Sequence, residues 1–323
     1  MAQVPLDKVF IVSFWVEAVL YGFVICLFLC SVYVNLSLRK YQDGHSRIMF
    51  HIGIVMFLMS SLHISLNCFR MIEGYVVHAN EPGGPAAFLG TLSLWHHIFK
   101  DVVYATQEIM GDAVAIYRTW VVWGRNWRIV APLICILLAQ AVSGYSTAAL
   151  YRTIDATASI FDPVLLHWIS AFYATSFVQS FLTTFLMAYR IGMADRKTAK
   201  YRTSSGSLMP VLRILVESAA FQLVIEFIVL ILYACNHNTQ YILLETITPS
   251  VAITFNAITI RIAMRSSEAL SKSEPSQHHV SNQQQSSGLA SAIPMRPITI
   301  NIKQDVEAHG DGRSDSDLNF DQK

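Results

Sequence analysis

Ionisable and hydrogen-bonding side chains recur inside stretches of this chain that are otherwise apolar, and their spacing sorts them into stripes. His63, Asn67 and Arg70 follow at i, i+4 and i+7, one face of a helix. Asp101, Tyr104, Glu108 and Asp112 form a second stripe, Gln222 and Glu226 a third, and Glu17 and Glu245 stand in two further apolar stretches. Such groups are costly in hydrocarbon unless they face a bundle interior or a watery cavity, so each is a candidate site residue. Two readings of the set stay open. In one, Arg70, Asp101, Tyr104, Glu108, Glu226 and Glu245 line an outward-facing pocket that suits a cationic or hydrogen-bonding ligand. In the other, the groups pair among themselves and hold helices together, beginning with Arg70 against Asp101. His51 and His167 read as satisfied histidines of the bundle.

The elements that must position these residues are long apolar runs. Of the 323 residues 53% are apolar and only 14% charged, with a mean hydropathy of +0.42, a membrane composition rather than a soluble one. Runs of about 20 residues, enough to cross roughly 30 Å of hydrocarbon as helix, lie near 9–38, 47–76, 98–123, 129–150, 165–192, 209–234 and 241–263. Polar breaks separate them, among them the turn Glu81-Pro82-Gly83-Gly84-Pro85 and the triplet Gly124-Arg125-Asn126. The third run carries Asp101, Glu108 and Asp112 and is the weakest by hydropathy. The first is far longer than the apolar core of a cleaved signal, about 7–15 residues, and is expected to stay as an anchor.

Basic residues are retained on the cytoplasmic face of a membrane, and here they fall on alternate sides of the runs. Arg39, Lys40 and Arg47, then Arg118, Arg125 and Arg128, then six from Arg190 to Arg213, then Arg261, Arg265 and Lys272 make 15 on one side; Lys8, Arg70, Lys100 and Arg152 make 4 on the other. The sequence therefore predicts an all-α bundle of seven transmembrane helices, N-terminus outside and C-terminus in the cytoplasm. Trp120, Trp123 and Trp127 are placed to anchor the third helix at the cytoplasmic headgroups, and Pro210 sits in the first turn of the sixth, where a missing N–H costs little. The lipid bilayer is the implied partner, and the plasma membrane the expected location. The dispersed basic residues, with a net charge of +1, exclude a nucleic-acid partner.

On the cytoplasmic side, Tyr117 and Arg118 close the third helix, and the loop 190–213 is basic and rich in Ser and Thr. This could be a coupling surface for a cytosolic signalling partner, or simply the charge that holds the loop inside. Residues 266–323 turn Ser- and Gln-rich and then acidic, a composition that predicts a disordered tail open to phosphorylation. Within it Ile298, Ile300 and Ile302 alternate as a strand would. None of the five cysteines has metal-site spacing, so no metal and no cofactor is expected; Cys68 and Cys235 leave one outer disulfide open.

Gly111-Asp112, the string Ile116-Tyr117-Arg118-Thr119-Trp120-Val121-Val122-Trp123, Pro132, Glu217-Ser218-Ala219 and the late Thr299-Ile300-Asn301-Ile302 resemble a large set of seven-helix proteins of mushroom-forming fungi. The likeness covers roughly residues 10–265 and implies the seven-helix topology rather than an activity. Better-understood seven-helix families fit less well. G-protein-coupled receptors usually close the third helix with an acidic-Arg-Tyr triplet, where this chain has Tyr117-Arg118-Thr119. A microbial rhodopsin needs a lysine in the seventh helix, and 241–263 contains none. Seven-helix zinc hydrolases are similar in Ser60, His63 and Asp112 but need a histidine pair in the seventh helix, which is absent, so an enzyme is not expected. The expectation is receptor-like: a ligand enters the outer pocket and the third and sixth helices report inward. The alternative is a transporter or lipid translocator, in which Asp112 and Glu217 would carry the polar groups deeper.

Overall fold

The computed structural model describes residues 4–37, 44–153, 160–199 and 209–273, and these are helical throughout apart from short turns. The helices are α1 (Leu6–Ser37), α2 (Gly44–Ile72), α3 (Gly84–Gly90), α4 (Trp95–Val122), α5 (Trp127–Leu150), α6 (Pro163–Ala199), α7 (Met209–Ala234) and α8 (Gln240–Ser273), with one π-helical stretch, Glu73–Val77, prolonging α2. Each apolar run of the sequence becomes one long helix, and α3 is an added short one in the loop after α2. Local chemistry sets the boundaries. Asn126 starts α5 by accepting a hydrogen bond from the N–H of Arg128 at 3.1 Å. Asp162 does the same for Val164 at 3.0 Å, with Pro163 as the first helical residue of α6. Gly83 opens α3 with φ of 92°, and a Cβ there would stand 2.7 Å from that of Ala87.

Five helical stretches are long and apolar enough to cross a membrane: Leu6–Ser37, Arg47–Val77, Trp127–Leu150, Pro163–Arg196 and Gln240–Arg261. Their outward faces expose large apolar side chains, Trp15, Phe23, Leu29, Leu138 and Phe185 among them. Water does not tolerate so much contiguous apolar surface. The chain is a multi-pass integral membrane protein. Among the described residues α4 falls short of that hydropathy because it carries Lys100, Asp101, Glu108, Asp112 and Arg118, and α7 contributes a shorter apolar stretch, Ala219–Ala234.

The helices run up and down. Tyr75 donates to the carbonyl of Asp7 and Asn238 to that of Val4, which puts the start of α1, the end of α2 and the α7–α8 turn together, hereafter the Leu6 end. Tyr233 donates to the carbonyl of Ile160 and adds the entry to α6. At the opposite end Arg118 of α4 reaches Thr259 of α8, and the indole of Trp123 reaches the carbonyl of Leu186 of α6. Successive helices pack side by side, α8 closes against α1, and α4 touches α2, α5, α6 and α8. A helix that carries charges along its length is therefore the central one, shielded by four neighbours. Close approach helps it there: a Cβ on Gly111 would stand 2.7 Å from Cγ1 of Val251, so α4 and α8 meet at a contact only glycine allows.

Two of the described helices overrun the ends read from the sequence: α6 continues past 192 to Ala199, and α8 goes further. α8 runs on through Arg265 to Ser273, so the first residues of the expected disordered tail are helical. The rest of that tail, with the alternating isoleucines, and most of the loop 190–213 after Ala199 lie outside the described residues.

Candidate functional site

Two polar networks fill the bundle, and they differ in charge. The first joins α1, α2, α4 and α8. Glu17 lies across from the α2 stripe, its Oε1 2.7 Å from Nδ1 of His63 and its Oε2 accepting from Asn67 at 2.5 Å. The other ring nitrogen of His63 stands 3.7 Å from Oε2 of Glu245, whose Oε1 accepts a hydrogen bond from Lys100. All five side chains are buried. Glu17, His63 and Glu245 bring three possible metal-ligand atoms within 4.8 Å of one another. The donor set argues against a metal, because Asn67 and Lys100 already occupy the carboxylates and the ammonium would repel a cation. Lys100 and His63 each stand against an acid, so both carboxylates of this network have a nitrogen partner.

The second network joins α4, α5, α6 and α7. Ser176 donates to Glu108 at 2.9 Å; Gln140 donates to Asp112 at 2.9 Å. The hydroxyl of Ser180 stands 3.2 Å from Asp112 and 3.3 Å from Glu226, bridging two helices, and Gln222 donates to Glu226 at 2.8 Å. Three buried carboxyl groups thus take Ser and Gln donors from α5, α6 and α7, without a basic side chain in ion-pair contact among the described residues. Gln107 of α4 fastens the helices of the first network, donating to Ser60 of α2 at 2.9 Å and to the carbonyl of Thr248 of α8 at 2.7 Å.

Two cavities flank the networks, and α4 lines both. Towards the Leu6 end, Asp101 and Tyr104 border a space of about 40 Å³ with Tyr151, Phe172 and Tyr173. Asp101 stands 3.7 Å from the ring of His97. Tyr104 packs edge-on against Phe172 at 5.8 Å. Towards the opposite end, Asp112 and Arg118 border a space of about 60 Å³ with Ser180, Gln222 and Phe255. Arg118 donates to Thr259 at 3.1 Å and stacks over the Phe255 ring at 5.1 Å.

The six residues expected to line one pocket are distributed among these features. Asp101 and Tyr104 share the first cavity, Glu108 and Glu226 the acidic network, and Glu245 pairs with Lys100. Arg70 donates to the carbonyl of Leu89 at 2.8 Å and makes no ion pair among the described residues, so the expected Arg70–Asp101 pair is replaced by a clamp on α3. Tyr117 faces a different side from Arg118. With Trp120 and Trp127 it borders an apolar groove of about 290 Å³ between α4 and α5. Trp127 is exposed as an interfacial anchor should be, while Trp120 and Trp123 are half-buried under Arg125 and Arg190.

Several partners escape a reading of spacing alone. Lys100, counted as an external flank, is buried, because Glu245 is its partner across the bundle and pairing between helices leaves no local pattern. Gln140, Ser176 and Ser180 are single polar residues in apolar runs, and intervals of i, i+4 on α6 are their one signal. His51 and His167 are exposed rather than buried; His51 is 2.7 Å from the carbonyl of Arg47. Cys68 and Cys235 are free, so the possible disulfide is not formed. Compared with known proteins, the chain matches no family model, no curated protein and no solved structure.

Proposed function

We propose that the chain is a receptor-like seven-helix protein of the plasma membrane, N-terminus outside, that binds a ligand at the Leu6 end and signals to the cytoplasm. The observation that carries this reading is α4, one central helix lining a cavity near each end of the bundle, with Asp101 and Tyr104 at the first and Arg118 at the second. A ligand that shifts Tyr104 against Phe172 would displace the helix that holds Arg118 against Thr259, and a packed bundle passes such a shift as a discrete rearrangement. Orientation rests on charge. Arg70 and Lys100 are buried, which leaves Lys8 and Arg152 as the exposed basic residues near the Leu6 end. The positive-inside bias is then steeper than the sequence count suggested. α4 and α7 are read as spans on topology, since chain reversal at both ends of each requires them to cross.

The partner is proposed to be a cytosolic protein that meets the loop 190–213 and the tail. The resemblance to the seven-helix proteins of mushroom-forming fungi fits this architecture, and an enzyme activity is not proposed. A transporter is the second reading, favoured by the acidic network that continues the polar groups from Asp101 towards Asp112. Proximity labelling by a biotin ligase fused to the C-terminus separates the two. The receptor reading expects cytosolic neighbours that disappear when 190–213 is replaced by a neutral linker and diminish in Arg118→Met. Identical neighbours in all three forms overturn it.

A further inference from the structure

The groove of about 290 Å³ between α4 and α5 is used by neither polar network nor by the ligand reading. Its floor is packed core, Ile116 and Val130 being 5% and 2% exposed. Its wall changes in character along its length. Near the α4–α5 turn three aromatic rings follow one another, Tyr117 5.9 Å from Trp120 and Trp120 5.6 Å from Trp127. Further along α5, Ile134 and Leu137 take over. Since Trp127–Leu150 is long and apolar enough to cross a membrane, this order runs from the headgroup level into the hydrocarbon.

The mouth of the groove is basic. The guanidinium of Arg125 lies over the Trp120 ring at 5.7 Å, and Arg128 is exposed in the first turn of α5. Neither arginine makes an ion pair among the described residues. No acidic residue occurs from Ala113 to Leu137, so the segments that build the groove offer them none. The indole N–H of Trp120, which lines the groove, has no hydrogen-bond partner. Aliphatic, then aromatic, then cationic is the order that complements a phospholipid from its tail to its phosphate. A sterol carries a single hydroxyl and would leave both arginines without a counter-charge. We propose that the groove binds one anionic phospholipid, an acyl chain along Ile134 and Leu137 and the phosphate at Arg125 and Arg128, with its ester oxygens at the level of Trp120. The site needs only that α5 lie in a membrane, and it stands or falls apart from the receptor reading.

The test is native mass spectrometry of the full-length protein, stripped of lipid in detergent micelles and titrated with phosphatidylglycerol or phosphatidylcholine of the same acyl chains. An anionic headgroup gains about fivefold in binding per arginine beside it, so two arginines set a preference of roughly 25-fold for the first phosphatidylglycerol bound. The expected result is one such lipid retained, with the preference falling to parity in Arg125→Gln combined with Arg128→Gln. Ala113→Phe, which fills the groove, should abolish retention of that lipid. Arg47→Gln should keep the full preference, because Arg47 is exposed on α2, outside the groove. Equal binding of the two lipids by the wild-type protein overturns the site. So does a preference that survives the double arginine variant or that Arg47→Gln lowers as much, retention of the lipid in folded Ala113→Phe, or displacement of phosphatidylglycerol by cholesterol. Both arginines are exposed, so the wild-type and arginine comparisons decide the matter even if Ala113→Phe fails to fold.

Discussion

Removing the Lys100 ammonium should destabilise the bundle severely, and removing its partner as well should restore most of the loss. Lys100 and Glu245 are 4% and 3% exposed, and the hydrogen-bonded contact between them joins α4 to α8. Lys100→Met keeps the length of the apolar stem and leaves Glu245 facing only His63, whose ring nitrogen is 3.7 Å away. Breaking one side of a buried pair costs about 3–5 kcal/mol, because the remaining charge is desolvated without compensation. At about 2–4 °C per kcal/mol for a domain of this size, Tm should fall by roughly 6–20 °C. Lys100→Met with Glu245→Gln removes both charges, and a neutral pair of similar volume is often close to the parent in stability. The assay is thermal unfolding of the four proteins of this cycle in micelles, read as a coupling free energy. A single variant within about 1 kcal/mol of wild type, or a double variant no better than the single, would refute a buried and energetically coupled pair.

Other contacts give sharper local tests. Glu17→Gln keeps the volume but loses the charge that holds His63 and Asn67, and should cost about 1.5–3 kcal/mol in the same melting assay. Gly111→Ala drives a methyl into Val251 at 2.7 Å and should cost about 1–3 kcal/mol, with Val251→Ala relieving most of it in the double variant. Asn126→Ala removes the first N–H acceptor of α5 and should cost about 1 kcal/mol, with the loss confined to that helix start in hydrogen exchange. Arg70→Met releases the carbonyl of Leu89, and the segment 84–90 should become open to limited proteolysis while the bundle stays folded.

The long helices were legible because apolar runs and their polar breaks follow directly from the thickness of a bilayer. α5 and α7 end where the sequence places them, and α8 overshoots into Ser273 because hydropathy reports the hydrocarbon layer, not the helix. α4 was weak by hydropathy for a reason the fold supplies: four neighbours shield it, so it needs little apolar surface of its own. The stripe of His63, Asn67 and Arg70 does face inward, as i, i+4, i+7 spacing requires. Its partners were not readable. Arg70 found a carbonyl on α3, a helix concealed in a Gly- and Pro-rich turn, although Pro85 in the first turn is the signal that such a helix starts there. Lys100 was tallied as a flank because a count by side cannot tell a loop residue from one a turn further in.

The proposed receptor topology requires α4 to cross the membrane in spite of its charges, and its crossing can be measured by accessibility on intact cells. In a protein with its five cysteines replaced, single cysteines at Pro82 and at Arg128 lie on exposed residues either side of α4. A membrane-impermeant maleimide should label Pro82→Cys from outside and reach Arg128→Cys only after the membrane is opened. Labelling of both positions from the same side would remove α4 from the membrane, and with it the seven-helix topology, the orientation and the inward-reporting role of Arg118.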